Sequence, residues 1–297
     1  MHFSTAALFG RYQDSGMDAP LRQMAEILKS ADLTVVLDKD TAIHTGITEY
    51  PALEVVDMAG TVDLAVVMGG DGTVLGVGRK LSPHNIPILG INHGRLGFIT
   101  DIPVENAAGA LEAVLSGQYN KESRSLLSGA VVRDDEILTT DLAINDIVLN
   151  RSGYGGMIEI EVNYNDSLMY KQRADGLIVA TPTGSTAYSL SANGPIMHPA
   201  LEAFLLVPVA PQTLSARPIV VPDNGVLTLT LQDISRGGYG ANVHFDMQTW
   251  TNLHIGDKVV VKKAQHKMTF LHPIGYSFFG TLRQKMNWNV MPDNQTK

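Results

Sequence analysis

The sequence predicts an α/β plus all-β chain: an N-terminal doubly wound α/β domain, then a C-terminal antiparallel β-sandwich-like domain. Three observations predict it. Up to about Gly117, short apolar runs alternate with segments of helical spacing, the pattern of a parallel sheet with helical crossovers. Beyond that point apolar residues recur with period two and turn residues break the chain at short intervals, the pattern of antiparallel strands. Glycine-rich loops follow two of the apolar runs, as they do where parallel strands end at a ligand.

Taken in order, Phe3 to Phe9 reads as a first strand, closed by Gly10, with a polar loop from Arg11 to Asp18. Leu21, Met24, Ile27 and Leu28 then share one helical face. Leu33 to Leu37 is a second strand, and residues 38–60 read as irregular or weakly helical. Leu64 to Met68 is a buried strand that ends in Gly69-Gly-Asp-Gly-Thr73, after which Val74, Leu75 and Val77 start a helix. Ile86 to Ile91 is a further buried strand running into Asn92-His-Gly-Arg-Leu-Gly-Phe98, and Asn106 to Leu115 is a helix stopped by Gly117.

In the second half Leu126–Arg133, Asp141–Asn150 and Met157–Tyr164 are expected as strands. Asn165-Asp166 should turn the last of these into a hairpin with Ser167–Gln172. Asn224-Gly225 is a second two-residue hairpin signal, between Ile219–Val221 and Val226–Leu231. Asn242–Met247, Lys258–Lys263 and Lys267–Leu271 are expected as separate strands, and Tyr276–Trp288 as a helix with Phe278, Leu282 and Met286 on one side. The expected domains are residues 1–120, 121–272 and a C-terminal helix in 273–297 that could return to the first domain.

Composition excludes several classes of function. A formal charge of −8 argues against general affinity for nucleic acid or an anionic membrane. The absence of cysteine removes disulfides, thiolate metal sites and a cysteine nucleophile. Without a basic, apolar leader or a spanning segment, the cytoplasm is the expected location.

The chemistry is expected in two loops. Glycines at 69, 70 and 72 let a ligand approach backbone N–H groups, and the start of a helix favours anions, so the first loop suits phosphate. It lacks the lysine of a P-loop, and Gly70, Gly72 and Gly76 miss the dinucleotide spacing by one residue. Asp71 would repel phosphate unless it held a metal ion or took a proton from an attacking hydroxyl; the plainer reading is a turn in which Asp71 caps the helix. The second loop is Asp175-Gly-Leu-Ile-Val-Ala-Thr-Pro-Thr-Gly-Ser-Thr-Ala-Tyr188, where Thr181, Thr183, Ser185 and Thr186 crowd hydroxyls round a turn. A Ser or Thr N-cap before Ala187 would explain one hydroxyl, not four.

These motifs, with Gly90-Ile-Asn-His-Gly-Arg-Leu-Gly-Phe98, Asn145-Asp146 and Pro211-Gln-Thr-Leu-Ser-Ala-Arg-Pro218, resemble the NAD kinases of bacterial type. The first loop alone is shared with diacylglycerol and sphingoid kinases. The resemblance implies phosphorylation by ATP of the 2′-hydroxyl of the adenosine ribose of NAD, giving NADP and ADP. It also implies a divalent cation (magnesium by expectation), a site between two domains, and a homo-oligomer, a tetramer or dimer, in which a neighbour helps bind NAD.

By the same resemblance Asp71 would be catalytic, as a base or as the group that orders the metal. Gly70, Gly72 and Thr73 would face ATP. Asp71, Gly72, Phe98, Asn145, Asp146, Arg173, Asp175, Thr183, Thr186, Ala187, Tyr188, Ser189, Leu190, Ser191, Ala210 and Gln248 would contact NAD. Asn145 and Asp146, if both in a strand, would point to opposite faces, so a strand end or bulge is required for both to meet one ligand. Arg173 and Asp175, two residues apart, are expected on one strand face. Two rival readings are a lipid-type kinase sharing the first loop and a non-catalytic dinucleotide sensor on the same scaffold. The acidic balance disfavours the first and the presence of Asp71 the second. The apolar segment Leu201–Ala210 is expected to be partly interface.

Overall fold

The computed structural model describes residues 3–11, 16–94, 96–153, 156–235 and 240–289. Arg95 of the glycine loop and part of the Arg11–Asp18 loop lie outside them. The chain forms two compact units. One gathers the described residues of Met1–Ser123 and of Met268–Lys297, the other is Arg124–Lys267.

The first unit is built on parallel strands. β1 (Thr5–Phe9) is followed by α1 (Asp18–Ser30), β2 (Thr34–Asp38), α2 (Lys39–Thr45) and β3 (Ala52–Leu53). A 3-10 turn at Val55–Met58 leads to β4 (Leu64–Gly69), α3 (Asp71–Leu81) and β5 (Ile88–Asn92). Then come β6 (Ile102–Pro103) and α4 (Ala107–Leu115). The order is β6-β5-β4-β1-β2-β3, every pair parallel.

Burying one face of each helix gives the sheet a cover on both sides. Leu21, Met24, Ala25 and Leu28 of α1 share a core with Leu111 and Val114 of α4 and with Leu8, Val66, Met68 and Ile91 of the strands. The α3 helix packs on β4 and β5 but contributes nothing to that core, so it covers the opposite face. From β1 the chain steps one way to β2 and β3, then returns to lay β4 and β5 on the other side of β1. That reversal puts a crevice at the carboxyl ends of β1 and β4, where ligands bind in such sheets. The Gly69–Gly72 loop stands there.

The second unit is two sheets face to face. It takes in most of β7 (Tyr119–Arg133), then β8 (Glu136–Ala143), β9 (Asp146–Arg151), β10 (Ile158–Tyr164), β11 (Ser167–Ala174) and β12 (Gly176–Ala180). A 3-10 turn at Thr183–Thr186 and a short helix α5 (Tyr188–Ser191) follow. The remaining strands are β13 (Ala203–Val209), β14 (Ile219–Pro222), β15 (Leu227–Ile234), β16 (Ala241–Phe245), β17 (Thr249–Leu253) and β18 (Lys258–Pro273). One sheet has the order β14-β13-β12-β9-β16-β17, and the other contains β11, β10, β15 and β18, with β7 beside β18 and β8 beside β7. Ile147, Leu177, Phe204 and Phe245 of the first meet Ile160, Leu229 and Val259 of the second in one core. This is the packing of a β-sandwich.

Several expectations change. Asp141–Asn150 is not one strand: the chain leaves β8 in one sheet and enters β9 in the other, with Ile144 and Asn145 between. Asn224-Gly225 makes no hairpin, because β14 and β15 belong to opposite sheets. Glycine is needed at 225 because a Cβ there would run into the Tyr164 ring. The Asn165-Asp166 hairpin does form, with both residues at positive φ (48° and 63°). Lys258–Lys263 and Lys267–Leu271 are one strand, β18, which passes from the second unit into the first. Half of Leu201–Ala210 is core: Phe204 to Pro208 are buried in β13, between β12 and β14, while Leu201, Glu202 and Ala210 are exposed.

In the first unit β18 pairs with β5 in parallel, and the C-terminal helix α6 (Phe278–Met286) follows, with Phe278 and Leu282 buried. His272 near the end of β18 lies between Asp101 (3.2 Å) and Glu122 of β7 (3.1 Å), stacked on Tyr276. Burial alone would keep its imidazole neutral, but hydrogen bonds to the two carboxylates outweigh it and raise the pKa.

Candidate active site

In the first unit the Gly69–Thr73 loop is shaped by its own packing. A Cβ on Gly69 would strike the Thr73 side chain, so the strand can end there only in glycine. Gly70 is the N-cap of α3 with φ −101° and ψ −177°, a conformation any residue adopts. A Cβ on Gly70 or on Gly72 would meet no described residue within 4 Å. Neither backbone strain nor packing explains these two glycines, and the open space above them is what an approaching phosphate would use.

Asp71 does not cap α3, which has no side-chain cap. It reaches instead into the second glycine loop. Its Oδ1 accepts from the N–H of Ile99 (3.0 Å), the N–H of Thr100 (3.0 Å) and the Thr100 hydroxyl (3.1 Å). Its Oδ2 accepts from the N–H of Phe98 (2.7 Å) and from Nζ of Lys285 (3.4 Å). Lys285 also stands 4.2 Å from the centre of the Phe98 ring, a cation–π distance. Asn92 at the end of β5 fixes the Thr100 hydroxyl (2.9 Å). A Cβ on Gly97 would collide with the Asp71 carboxylate, so the second loop can wrap Asp71 only with glycine there. Burial would raise the Asp71 pKa. The N–H groups of Thr100, Phe98 and Ile99 and the charge of Lys285 outweigh burial and hold the carboxyl below its usual range.

In the second unit the expected residues gather where strands end. Asp246, buried between β16 and β17, accepts from the N–H of Ile144 (2.9 Å), Asn145 (2.7 Å) and Asp146 (3.2 Å). Those donors are thereby withdrawn from the sheet ladder, which is why the strand breaks at that point. Asn145 thus lies in a bend and Asp146 opens β9, so the pair stands at a strand end, as the sequence required for both to meet one ligand. The 181–186 turn is laced to the same bend. Thr181 donates its hydroxyl to Ile144 O (2.6 Å) and its N–H to Asn145 O (2.9 Å). A Cβ on Gly184 would strike the Asn145 carbonyl.

Asp146 is the electrostatic oddity. It is 2% exposed, and its Oδ1 has no hydrogen-bond partner among the described residues. Burial, together with the nearby Asp246 charge, pushes its pKa up to about 7. An uncompensated buried acceptor costs stability, so it is the place where a ligand hydroxyl would find a waiting partner.

The crowded hydroxyls divide. Thr181, Ser185 (to Pro182 O, 2.6 Å, and from Met197 N–H, 2.9 Å) and Ser189 (to Gly184 O, 3.1 Å) are consumed inside the turn. Thr183 accepts from buried Arg124 (3.2 Å). Thr186 also donates its hydroxyl inside the turn, to Thr183 O (3.2 Å); it is half-buried, as are Ala187, Tyr188 and Leu190, and Ser191 is exposed. No serine or threonine caps α5, whose N-cap is Ala187; a 3-10 turn comes first.

Asp175 stands where the chain crosses from β11 to β12, held by Arg151 through two hydrogen bonds (2.7 and 3.2 Å). Its backbone N–H donates to Val209 O beside Ala210, which takes φ 45°. Gln248 is exposed in the turn that also carries Asp246. Arg173 is not joined to Asp175: it pairs with Glu159 across β10–β11 (2.8 Å), in the other sheet from the Arg151–Asp175 pair. The shared strand face fails because the chain changes sheets between them.

Four participants went unseen in the sequence: Lys285, Asp246, Arg151 and Arg124. Lys285 is 214 positions from Asp71, and only its place off the apolar side of the predicted helix set it apart. For Asp246 a signal existed, a lone carboxylate closing an apolar strand.

A family model, the ATP-NAD kinase N-terminal domain, matches residues 17–119, and a second, the ATP-NAD kinase C-terminal domain, matches 144–273. The chain belongs to the NAD kinase family. The NAD kinase of Bordetella avium is 58% identical over 292 residues, covering 98% of each chain. That of Ralstonia nicotianae is 48% identical over 295 residues, covering 99% of this chain and 96% of its own. Among solved structures, an NAD kinase from Archaeoglobus fulgidus in complex with ATP is similar with a TM-score of 0.74 at 28% identity, covering 95% of this chain and 98% of that one. Yeast NADH kinase complexed with NADH has a TM-score of 0.88 at 21% identity, covering 100% and 90%, a likeness of fold. As an NAD kinase the chain is a phosphotransferase with ATP and NAD as substrates, and neither rival reading is supported. No helix among the described residues is long and apolar enough to cross a membrane.

Proposed function

We propose that the chain transfers the γ-phosphoryl group of ATP to the 2′-hydroxyl of the adenosine ribose of NAD, with Asp71 as the group that orients that hydroxyl. The observation that carries this is the Asp71 carboxylate, kept ionised by N–H donors beside two glycines that leave space for phosphate. Phosphoryl transfer asks for in-line positioning and charge neutralisation rather than strong covalent help. The hydroxyl oxygen attacks the γ-phosphorus, a new O–P bond forms, and the bond to the bridging oxygen of ADP breaks. A carboxylate held below its usual range is a weak base, so the proton reaches Asp71 late, as the O–P bond completes, and passes on to water.

Gly70, Gly72 and Thr73 would receive the phosphates of ATP. Asp146 and Asn145 would take the adenosine hydroxyls and base, with Thr183, Thr186, Ala187, Tyr188 and Ser191 around them. Asp175 would accept from the nicotinamide amide. Ser189, wholly internal, serves the turn. The described residues hold no group of three His, Asp or Glu suited to a metal ion, and both Asp71 oxygens are already engaged. A divalent cation would therefore enter on the ATP phosphates, whose charge it neutralises, rather than in a cage of this chain.

We also read the protein as a homo-oligomer in the cytoplasm. The support for assembly is β14, an edge strand whose Ile219 and Val220 are exposed, with Leu214, 92% exposed, in the segment before it. The test is incubation with ATP, magnesium and NAD, with phosphorus NMR of the product. NADP phosphorylated at the 2′ position is expected. Turnover of a lipid alcohol with none of NAD would overturn the reading.

A further inference from the structure

We propose that Lys285, on the last turn of the C-terminal helix, is a working residue of the phosphoryl transfer: it occupies Asp71 before substrate arrives and then carries its charge onto the transferring phosphoryl group. The inference rests on the kinase reading above. It starts from a count of lone pairs. A carboxylate offers about four acceptor sites. The Asp71 carboxylate faces five donors: three backbone N–H groups, the Thr100 hydroxyl and the Lys285 ammonium. No place is left for a substrate hydroxyl, so one donor must leave before Asp71 can orient anything.

The donors are not equal. The N–H groups of Phe98, Ile99 and Thr100 belong to the loop backbone, which Gly97 fits against the carboxylate. The Thr100 hydroxyl is fixed from behind by Asn92. Lys285 makes the longest of the five contacts, at 3.4 Å, through a flexible chain whose side chain is 30% exposed. It is the donor that can go, and its departure frees Oδ2.

Where it goes follows from the reaction. A hydroxyl held on Oδ2 must stand about 3–3.5 Å from the phosphorus it attacks. The ammonium begins 3.4 Å from the same oxygen, propped 4.2 Å from the Phe98 ring centre. A short rotation sets it against the equatorial oxygens of that phosphorus, where a fixed cation stabilises the transferring group. The Gly70–Thr73 loop carries no lysine, and this one arrives from the far end of the chain.

The experiment compares the wild-type chain with Lys285→Met and Lys285→Arg in NADP formation, NAD binding and melting temperature. For Lys285→Met we expect kcat to fall about 10²-fold or more, with NAD affinity and melting temperature near wild type. The acid limb of its kcat/KM profile, which reports the free enzyme, should move to higher pH, because unliganded Asp71 loses its neighbouring cation. Lys285→Arg should recover part of kcat and restore the acid limb. A kcat for Lys285→Met within threefold of wild type, or an unmoved acid limb, would overturn the proposal. So would a loss of kcat that tracks a lowered melting temperature and is not rescued by arginine. If the wild-type chain itself makes no NADP, the kinase reading fails first and the role of Lys285 falls with it.

Discussion

The two aspartates that matter are held in opposite electrostatic states. Asp71 is given more donors than it has lone pairs, and its carboxyl is held below its usual range. Asp146 is given too few: burial and the Asp246 charge raise it to about 7, and Oδ1 is left with no partner among the described residues. A carboxyl raised in the folded state favours folding below its unfolded value of 3.8, and that contribution is lost as pH climbs through about 7. Asp146→Asn, which cannot ionise, should therefore melt several degrees higher than wild type at pH 8 and differ little at pH 5, as scanning calorimetry would show. The same variant should bind NAD at least tenfold more weakly, the loss of a hydrogen bond to a charged acceptor. Equal melting curves at pH 8 would mean that the carboxyl is not strained.

The proposed chemistry rests on loops and strand ends rather than on whole strands. The α/β half was legible because each apolar run is long enough to be buried on both faces, as Leu64–Met68 is. The glycine loops were legible as sequence, but not the reason they come as a pair. Gly97 leaves room for the carboxylate of Asp71, so the second loop exists to hold the first one's acid. Gly97→Ala should fold, since the clash is local, yet push Asp71 out of its seat and lower kcat about 10²-fold, with melting temperature lowered by a few degrees. Normal turnover in that variant would show that Asp71 works without its N–H donors. The β half was less legible. Period-two patterning locates strands but does not say which sheet each one joins, so Asn224-Gly225 reads as a hairpin when it links two sheets. The break before Asp146 depends on Asp246, a hundred residues away, and no local pattern could carry it.

At the scale of the molecule, the chain builds a parallel α/β unit, then a β-sandwich, and comes back along β18 to finish the first unit with α6. That return is what delivers Lys285 to Asp71. Sequence periodicity marked α6 as a helix but said nothing of which side chain it would bring to which loop. The central proposal is that Asp71 in the first unit orients the attacking hydroxyl and serves transfer rather than NAD binding. Asp71→Asn tests it most directly, by single-turnover formation of NADP together with calorimetric titration of NAD. The account predicts a transfer rate lower by about 10²-fold or more, with NAD affinity within a few-fold of wild type and a cooperative melting transition retained. A folded Asp71→Asn protein that forms NADP at close to the wild-type rate would contradict it.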